Sequence, residues 1–273
     1  MRLLPLLALL LAACTASPPP APERPPGRSG LPGPGAARLA AAAEREWRDW
    51  GSIAVEGWPA APERVPDASP ALFERLMGYW AATPEGPEVI EAHRHFRDTI
   101  TAPPAESASL DPVSGLPFTV VPANVSMAAF NTPAWSAAFV SHAMAAAGLP
   151  FSPSASHALY VDRLIGNALA DPQGAGFLPH APAERAPRPG DLVCADRSAA
   201  PLADWQARLA EAGWFRPMHC DIVVRAEGGA VEMIGGNVLD VVLRRRVPAD
   251  AEGRLLPPPP ERAPFFVVFE NRL

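Results

Sequence analysis

A chain of 273 residues with 23 basic and 29 acidic side chains has a formal net charge of −6. It lacks the basic surplus that phosphate neutralisation needs, which excludes nucleic acid as the expected partner. With 48% hydrophobic residues, disorder of the whole chain is excluded as well, and the length suits one large domain or two small ones.

In chain order, the first segment is the only one apolar enough to meet a membrane. Met1 and Arg2 precede a run from Leu3 to Leu11, broken by Pro5, and then Ala12, Ala13 and Cys14. The run is too short to span a bilayer, and its basic start and small terminal residues read as an export signal. Leu11-Ala12-Ala13-Cys14 resembles the lipobox of bacterial lipoproteins. That resemblance implies removal of residues 1–13, a lipid on Cys14 that anchors the chain to a membrane, and, with Thr15 rather than Asp next, an outer-membrane lipoprotein facing the periplasm. An ordinary secretory peptide with an incidental cysteine is the alternative. Residues 14–36 are rich in Pro, Gly, Ala and Ser without hydrophobic period and read as a tether. Pro-rich chain rises ~3.1 Å per residue, so about twenty residues would reach ~60 Å.

One domain is expected over residues 37–273. Helices are predicted over Ala37–Trp50, Pro70–Trp80 and about Pro87–Ile100, each with apolar residues at helical spacing. His93 and His95 fall two apart on the third helix and so on different faces, which speaks against a metal pair and for solvated surface. No metal and no cofactor are expected. A fourth helix follows Thr132 as cap and Pro133 in the first turn, and runs apolar nearly all round to Gly148. A fifth, about Ser154–Ala168, carries His157 and Tyr160. After Gly190 the period becomes two. Strands are predicted over Asp191–Asp196, His219–Arg225, Ala230–Ile234, Val238–Arg244 and Pro264–Phe269, with a hairpin turn at Glu227-Gly228-Gly229 and an amphipathic helix over Leu202–Ala212. Helices followed by adjacent strands indicate an α+β fold in which N-terminal helices pack on an antiparallel β-sheet.

Three segments carry the chemistry: the stretch from Pro133 to Ser141, Pro189-Gly190-Asp191-Leu192-Val193 with Met218-His219-Cys220-Asp221-Ile222-Val223-Val224, and Ile234-Gly235-Gly236-Asn237-Val238. Together they resemble the papain-like cell-wall hydrolases of the cysteine, histidine-dependent amidohydrolase/peptidase (CHAP) group. From about Glu44 onward the chain more closely resembles a bacterial family, domain of unknown function 2272. In the hydrolases a Cys opens the buried helix, a His starts the second strand, and an Asn or acidic residue orients that His. The resemblance therefore implies Ser136 in the nucleophile position, His219 as base and Asn237 as its orienting partner. The alternation of the strand puts Asp221 on the face of His219, which makes Asp221 a rival to Asn237.

A thiol at a helix start is drawn toward its thiolate by the helix dipole, whereas a hydroxyl gains almost nothing from it. Ser136 can act only if His219 takes its proton during attack. The implied function is hydrolysis of peptidoglycan or a related envelope amide or ester; the alternative is a catalytically inactive module that binds cell-wall polymer. Trp135, His157 and Tyr160 are candidates for the substrate groove, with half-buried packing the other reading of His157 and Tyr160. Arg244-Arg245-Arg246 reads either as a site for anionic polymer or as charged strand ends that discourage edge pairing. Cys194 and Cys220 lie on neighbouring strands and can bridge if the register brings their α-carbons to about 5.5 Å.

Overall fold

The computed structural model describes residues 33–58, 65–101 and 125–273. The expected signal sequence, Cys14 and nearly all of the tether lie outside them. Helix α1 spans Pro34–Asp49, three residues earlier than predicted. Pro34 suits the first turn because its missing N–H would have no intrahelical partner there. The next donors, Gly35 and Ala36, find the Leu273 carbonyl at 3.0 and 3.2 Å.

Helix α2 covers Pro70–Ala81, with the Ser69 hydroxyl accepting from the Leu72 amide, and α3 covers Gly86–Thr101. On α3 the expected solvated face is half wrong. His95 is exposed, but His93 is buried against Trp80 and Phe130, because the neighbouring helix and a 3₁₀ turn at Met127–Phe130 close over it.

Helix α4, Ser136–Ala146, has Trp135 as its N-cap residue, not Thr132; Thr132 and Pro133 are joined by a cis peptide before the helix begins. Helix α5 runs His157–Ala170. The connection between them is docked by Ser141, whose hydroxyl donates to the Ser154 carbonyl and accepts from the Ser154 amide, both at 3.1 Å.

Among the described residues seven strands form one sheet: β1 Ala54–Glu56, β2 Phe177–His180, β3 Leu192–Asp196, β4 Met218–Glu227, β5 Ala230–Val238, β6 Val241–Pro248 and β7 Phe265–Asn271, in the order β1-β6-β5-β4-β3-β7-β2. Only β1 pairs in parallel, with β6; every other pairing is antiparallel. The fold is α+β as expected. The main core joins Cys194, Cys220, Ile222 and Ile234 to residues of α1, α2, α4 and α5. The alternate strand residues, among them Val193, Val223, Val231 and Val268, make a smaller cluster with Leu255. This is the two-residue period of the strands expressed as two faces. The turn at Gly228-Gly229 joins β4 to β5, both residues at positive φ as a tight two-residue hairpin requires.

The predicted helix over Leu202–Ala212 is only a 3₁₀ segment, Ala207–Glu211. Arg208 turns fully inside to bind Asp162 at 2.7 and 2.9 Å and the Trp214 carbonyl at 2.7 Å, so tertiary pairing overrides the surface helix the spacing suggested.

A polar network ties α1 to α2 beneath Trp135. Tyr79 donates to Glu46 at 2.6 Å, Trp50 Nε1 donates to Tyr79 at 2.8 Å, and Arg75 bonds both Glu46 oxygens. Burial pushes the Glu46 carboxyl up, but hydrogen bonds from His142, Tyr79 and Arg75 overcome it and bring the pKa to about 2. A folded value below the unfolded one means that this group stabilises the fold above about pH 4.5 and loses that contribution as pH falls toward 2. Denaturant titrations of wild type and Glu46→Gln should therefore differ at pH 6 and converge by pH 2; a gap that stays constant across this range would contradict the account.

Candidate functional site

Helix α4 delivers Ser136 at its first turn, where the positive end of the helix dipole and unbonded amides gather. Trp135 supplies no side-chain cap. It is not a groove residue: it is buried between Trp50 and Tyr79, with ring centroids at 5.2 and 5.7 Å, and so pins the helix start to the core.

The Ser136 hydroxyl is bonded to His157 Nε2 at 2.7 Å, and not to His219. His157 opens α5 and Tyr160 lies one turn on, so helical spacing brings the Tyr160 hydroxyl to 2.5 Å from His157 Nδ1. Neither is half-buried. Both are interior, with Phe151 packed on the Tyr160 ring, so Tyr160 stands behind Ser136 and does not line a groove. Burial, with His219 close by, holds His157 well below the ordinary imidazole range; burial, with the Asp221 charge, pushes the Tyr160 phenol well above its usual value. His157 is neutral and Tyr160 keeps its proton.

A second chain runs along the sheet. His219 Nε2 donates to Asp221 Oδ1 at 3.0 Å, and Arg245 of β6 is bonded to Asp221 Oδ2. Burial alone would raise the Asp221 carboxyl, but Arg245 and His219 outweigh it and hold it well below the usual carboxylate range, so Asp221 is ionised and accepts both bonds. With its bond to Asp221 at Nε2, His219 has no partner for Nδ1 among the described residues. The His219 and His157 rings stand 5.4 Å apart, which joins the two chains in one site.

Two glycines make room for this. A Cβ on Gly235 would run into Asp221 Oδ1 and lie 2.7 Å from His219 Nε2, and one on Gly236 would run into Phe139 and lie 2.9 Å from Trp135. Asn237 follows in a left-handed conformation at φ 54°, where the β5–β6 register shifts. Its side chain makes no hydrogen bond to His219; the orienting partner is Asp221, and the expected place of Asn237 in the base–orienter pair is corrected. Asn237, His219 and Arg245 instead line a cleft of about 820 Å³ whose far wall includes Trp58 and Pro257–Pro260.

The three arginines face different neighbours and do not form one common surface. Arg244 stacks on Trp47 at 3.9 Å and faces Glu232, Arg245 serves Asp221, and Arg246 pairs with Glu56 on edge strand β1. Cys194 and Cys220 are direct register partners and form a disulfide with α-carbons 4.0 Å apart. Cys220 sits between His219 and Asp221 but points to the opposite face, into the main core, so it is no nucleophile for His219. Among the described residues no cluster of three or more His, Cys, Asp or Glu is placed to hold a metal, and no helix is long and apolar enough to cross a membrane.

The roles of His157, Tyr160 and Arg245 were the part sequence reasoning missed. The i, i+3 spacing of His157 and Tyr160 was visible, but nothing local says that α5 docks its first residue on the start of α4. The family described as an uncharacterized protein conserved in bacteria (DUF2272) matches residues 67–270, a span holding every residue of both chains. No curated protein and no solved structure matches the chain.

Proposed function

The chain belongs to this bacterial family, and we propose that its domain is a papain-like hydrolase of the cell envelope, acting on an amide or ester of peptidoglycan or a related polymer. The observation that carries the reading is the His219–Asp221–Arg245 chain, which leaves His219 Nδ1 free among the described residues and sets its ring 5.4 Å from His157, the partner of a serine at a helix start. In the proposed reaction Ser136 Oγ attacks the carbonyl carbon while its proton passes to His219 Nδ1. Unbonded amides at the start of α4 take the oxyanion. His219 then returns the proton to the leaving amine or alcohol as the carbonyl–leaving-group bond breaks, and water releases the acyl group from Ser136 by the same steps. Asp221 keeps Nε2–H fixed and offsets the charge that forms on the ring.

The experiment is turnover of purified peptidoglycan and of small esters by the wild type, Ser136→Ala and His219→Ala. Activity in the wild type and loss of nearly all of it in each variant is the expected result, because members of such a unit fail together. Ser136→Ala with full activity would sink the reading. One observation favours the binding module instead: the Ser136 hydroxyl is already engaged by His157. Polymer binding with no turnover, unchanged by Ser136→Ala, is its signature.

Envelope placement rests on Leu11-Ala12-Ala13-Cys14. Radiolabelled palmitate should enter the wild-type protein and not Cys14→Ser; equal labelling of the two would remove the lipid anchor.

A further inference from the structure

Ser136, His157 and Tyr160 form a single hydrogen-bonded chain whose direction can be worked out. A neutral imidazole carries one ring proton, so it donates at one nitrogen and accepts at the other. His157 is neutral and Tyr160 protonated, for the reasons of burial given above. The Tyr160 hydroxyl is 0% exposed and its hydrogen bond is to His157 Nδ1 alone. If Nδ1 held the proton, the Tyr160 oxygen would accept it and the phenolic proton would be left buried with no acceptor, which costs its full desolvation. If Tyr160 donates, Nδ1 accepts, and the ring proton must sit on Nε2, 2.7 Å from Ser136 Oγ. The one hydroxyl proton left over is then that of Ser136, at the 8% exposed end of the chain, where water or a ligand can meet it.

We infer that Tyr160 fixes His157 as the Nε2–H tautomer, so that His157 donates to the Ser136 oxygen and leaves the Ser136 proton for His219. The histidine in direct contact with Ser136 is therefore a positioning residue and not the base. Its donated hydrogen bond occupies one lone pair of the oxygen and restricts rotation of the hydroxyl. The base is the other imidazole, whose Nδ1 has no partner among the described residues. The tautomer stands on the geometry of the chain, whereas its use in turnover rests on the reading of Ser136 as nucleophile.

The test has two arms. In ¹⁵N-labelled full-length protein, imidazole ¹⁵N shifts distinguish a ring nitrogen bearing hydrogen from one bearing a lone pair. Wild-type His157 should show Nε2 protonated and Nδ1 as acceptor, and Tyr160→Phe should release Nδ1 from that bond and mix the tautomers. A protonated Nδ1 in the wild type overturns the inference, whether or not any variant folds.

In the second arm His157→Gln, whose amide can still donate to Ser136 but cannot serve as a base, should lower kcat by no more than about tenfold, the worth of one neutral hydrogen bond made less well, with KM little changed. His219→Gln should lower it roughly 10³-fold or more. Loss in His157→Gln as complete as in His219→Gln would make His157 the base and overturn the assignment. A wild type without turnover defeats the hydrolase reading and leaves the tautomer to be decided by the shifts.

Discussion

Asp221→Ala is expected to lower stability by about 3–5 kcal/mol, the range for removing one partner of a buried ion pair. The cost arises from what stays behind. Arg245 has little contact with solvent and stacks no closer than 5.7 Å on Phe265, so its guanidinium would be left largely buried without the carboxylate that balances it. His219 would lose the acceptor of its Nε2–H at the same time. Asp221→Asn, which keeps the volume, should be milder for the fold but as damaging for chemistry: an amide can donate to the ring and hold the wrong tautomer, a change that costs roughly 10⁴-fold in kcat in serine hydrolases. The double substitution Asp221→Leu with Arg245→Met separates the two effects, since it removes both charges together and should recover much of the stability but none of the turnover. Urea midpoints of the three variants decide it. Asp221→Ala within 1 kcal/mol of the wild type would mean that the pair contributes little to the fold.

The bridge between Cys194 and Cys220 is the other large effect. It closes a loop with a sequence separation of 26 residues. Restriction of the unfolded chain by a loop of this length corresponds to about 3.5 kcal/mol. Cys194→Ser with Cys220→Ser should therefore unfold at distinctly lower denaturant, and reductant should move the wild type to the same midpoint. The closed loop contains the segment around Arg208, whose pairing with Asp162 ties it to α5, so loss of the bridge also loosens what holds α5 in place. Coincident midpoints with and without reductant would remove this contribution.

How far the sequence reached depends on the range of the signal. Periods of 3.6 and 2 are local, and so the five helices and the five longer strands of the described residues were legible, although β5 runs on to Val238 and β6 begins only at Val241. Edge strands β1 and β2, of three and four residues, are too short to express a period, and β1 exists only because β6 offers it an edge. Alternation along β4 pairs His219 with Asp221 in the sequence itself, because that relation lies within one strand. The partner of Ser136 was misjudged for the opposite reason. His219 is favoured by the order of motifs along the chain, whereas His157 reaches Ser136 through the docking of two helices, which no pattern in either helix encodes. Arg245 was likewise hidden in a run of three arginines whose members face different neighbours. The Gly235-Gly236 pair lies within β5, and its absent side chains are clearances, invisible to any local period, for a strand that passes close to a helix and a charged pair.

That closeness has an electrical consequence. With no side chain at Gly235, the peptide backbone itself lies against Asp221 and His219, where any side chain would run into them. Asp221 has no solvent contact and His219 very little, so mobile ions cannot enter between the carboxylate and its two partners. Attraction between exposed charges fades within about 10 Å at 0.1 M salt, but charges enclosed in this way are screened much less. The Asp221 assembly is thus insulated from the ionic strength of its surroundings, while surface pairs such as Arg94–Glu74 are not. As salt varies, the geometry of this assembly would stay constant while the surface electrostatics of the domain rise and fall.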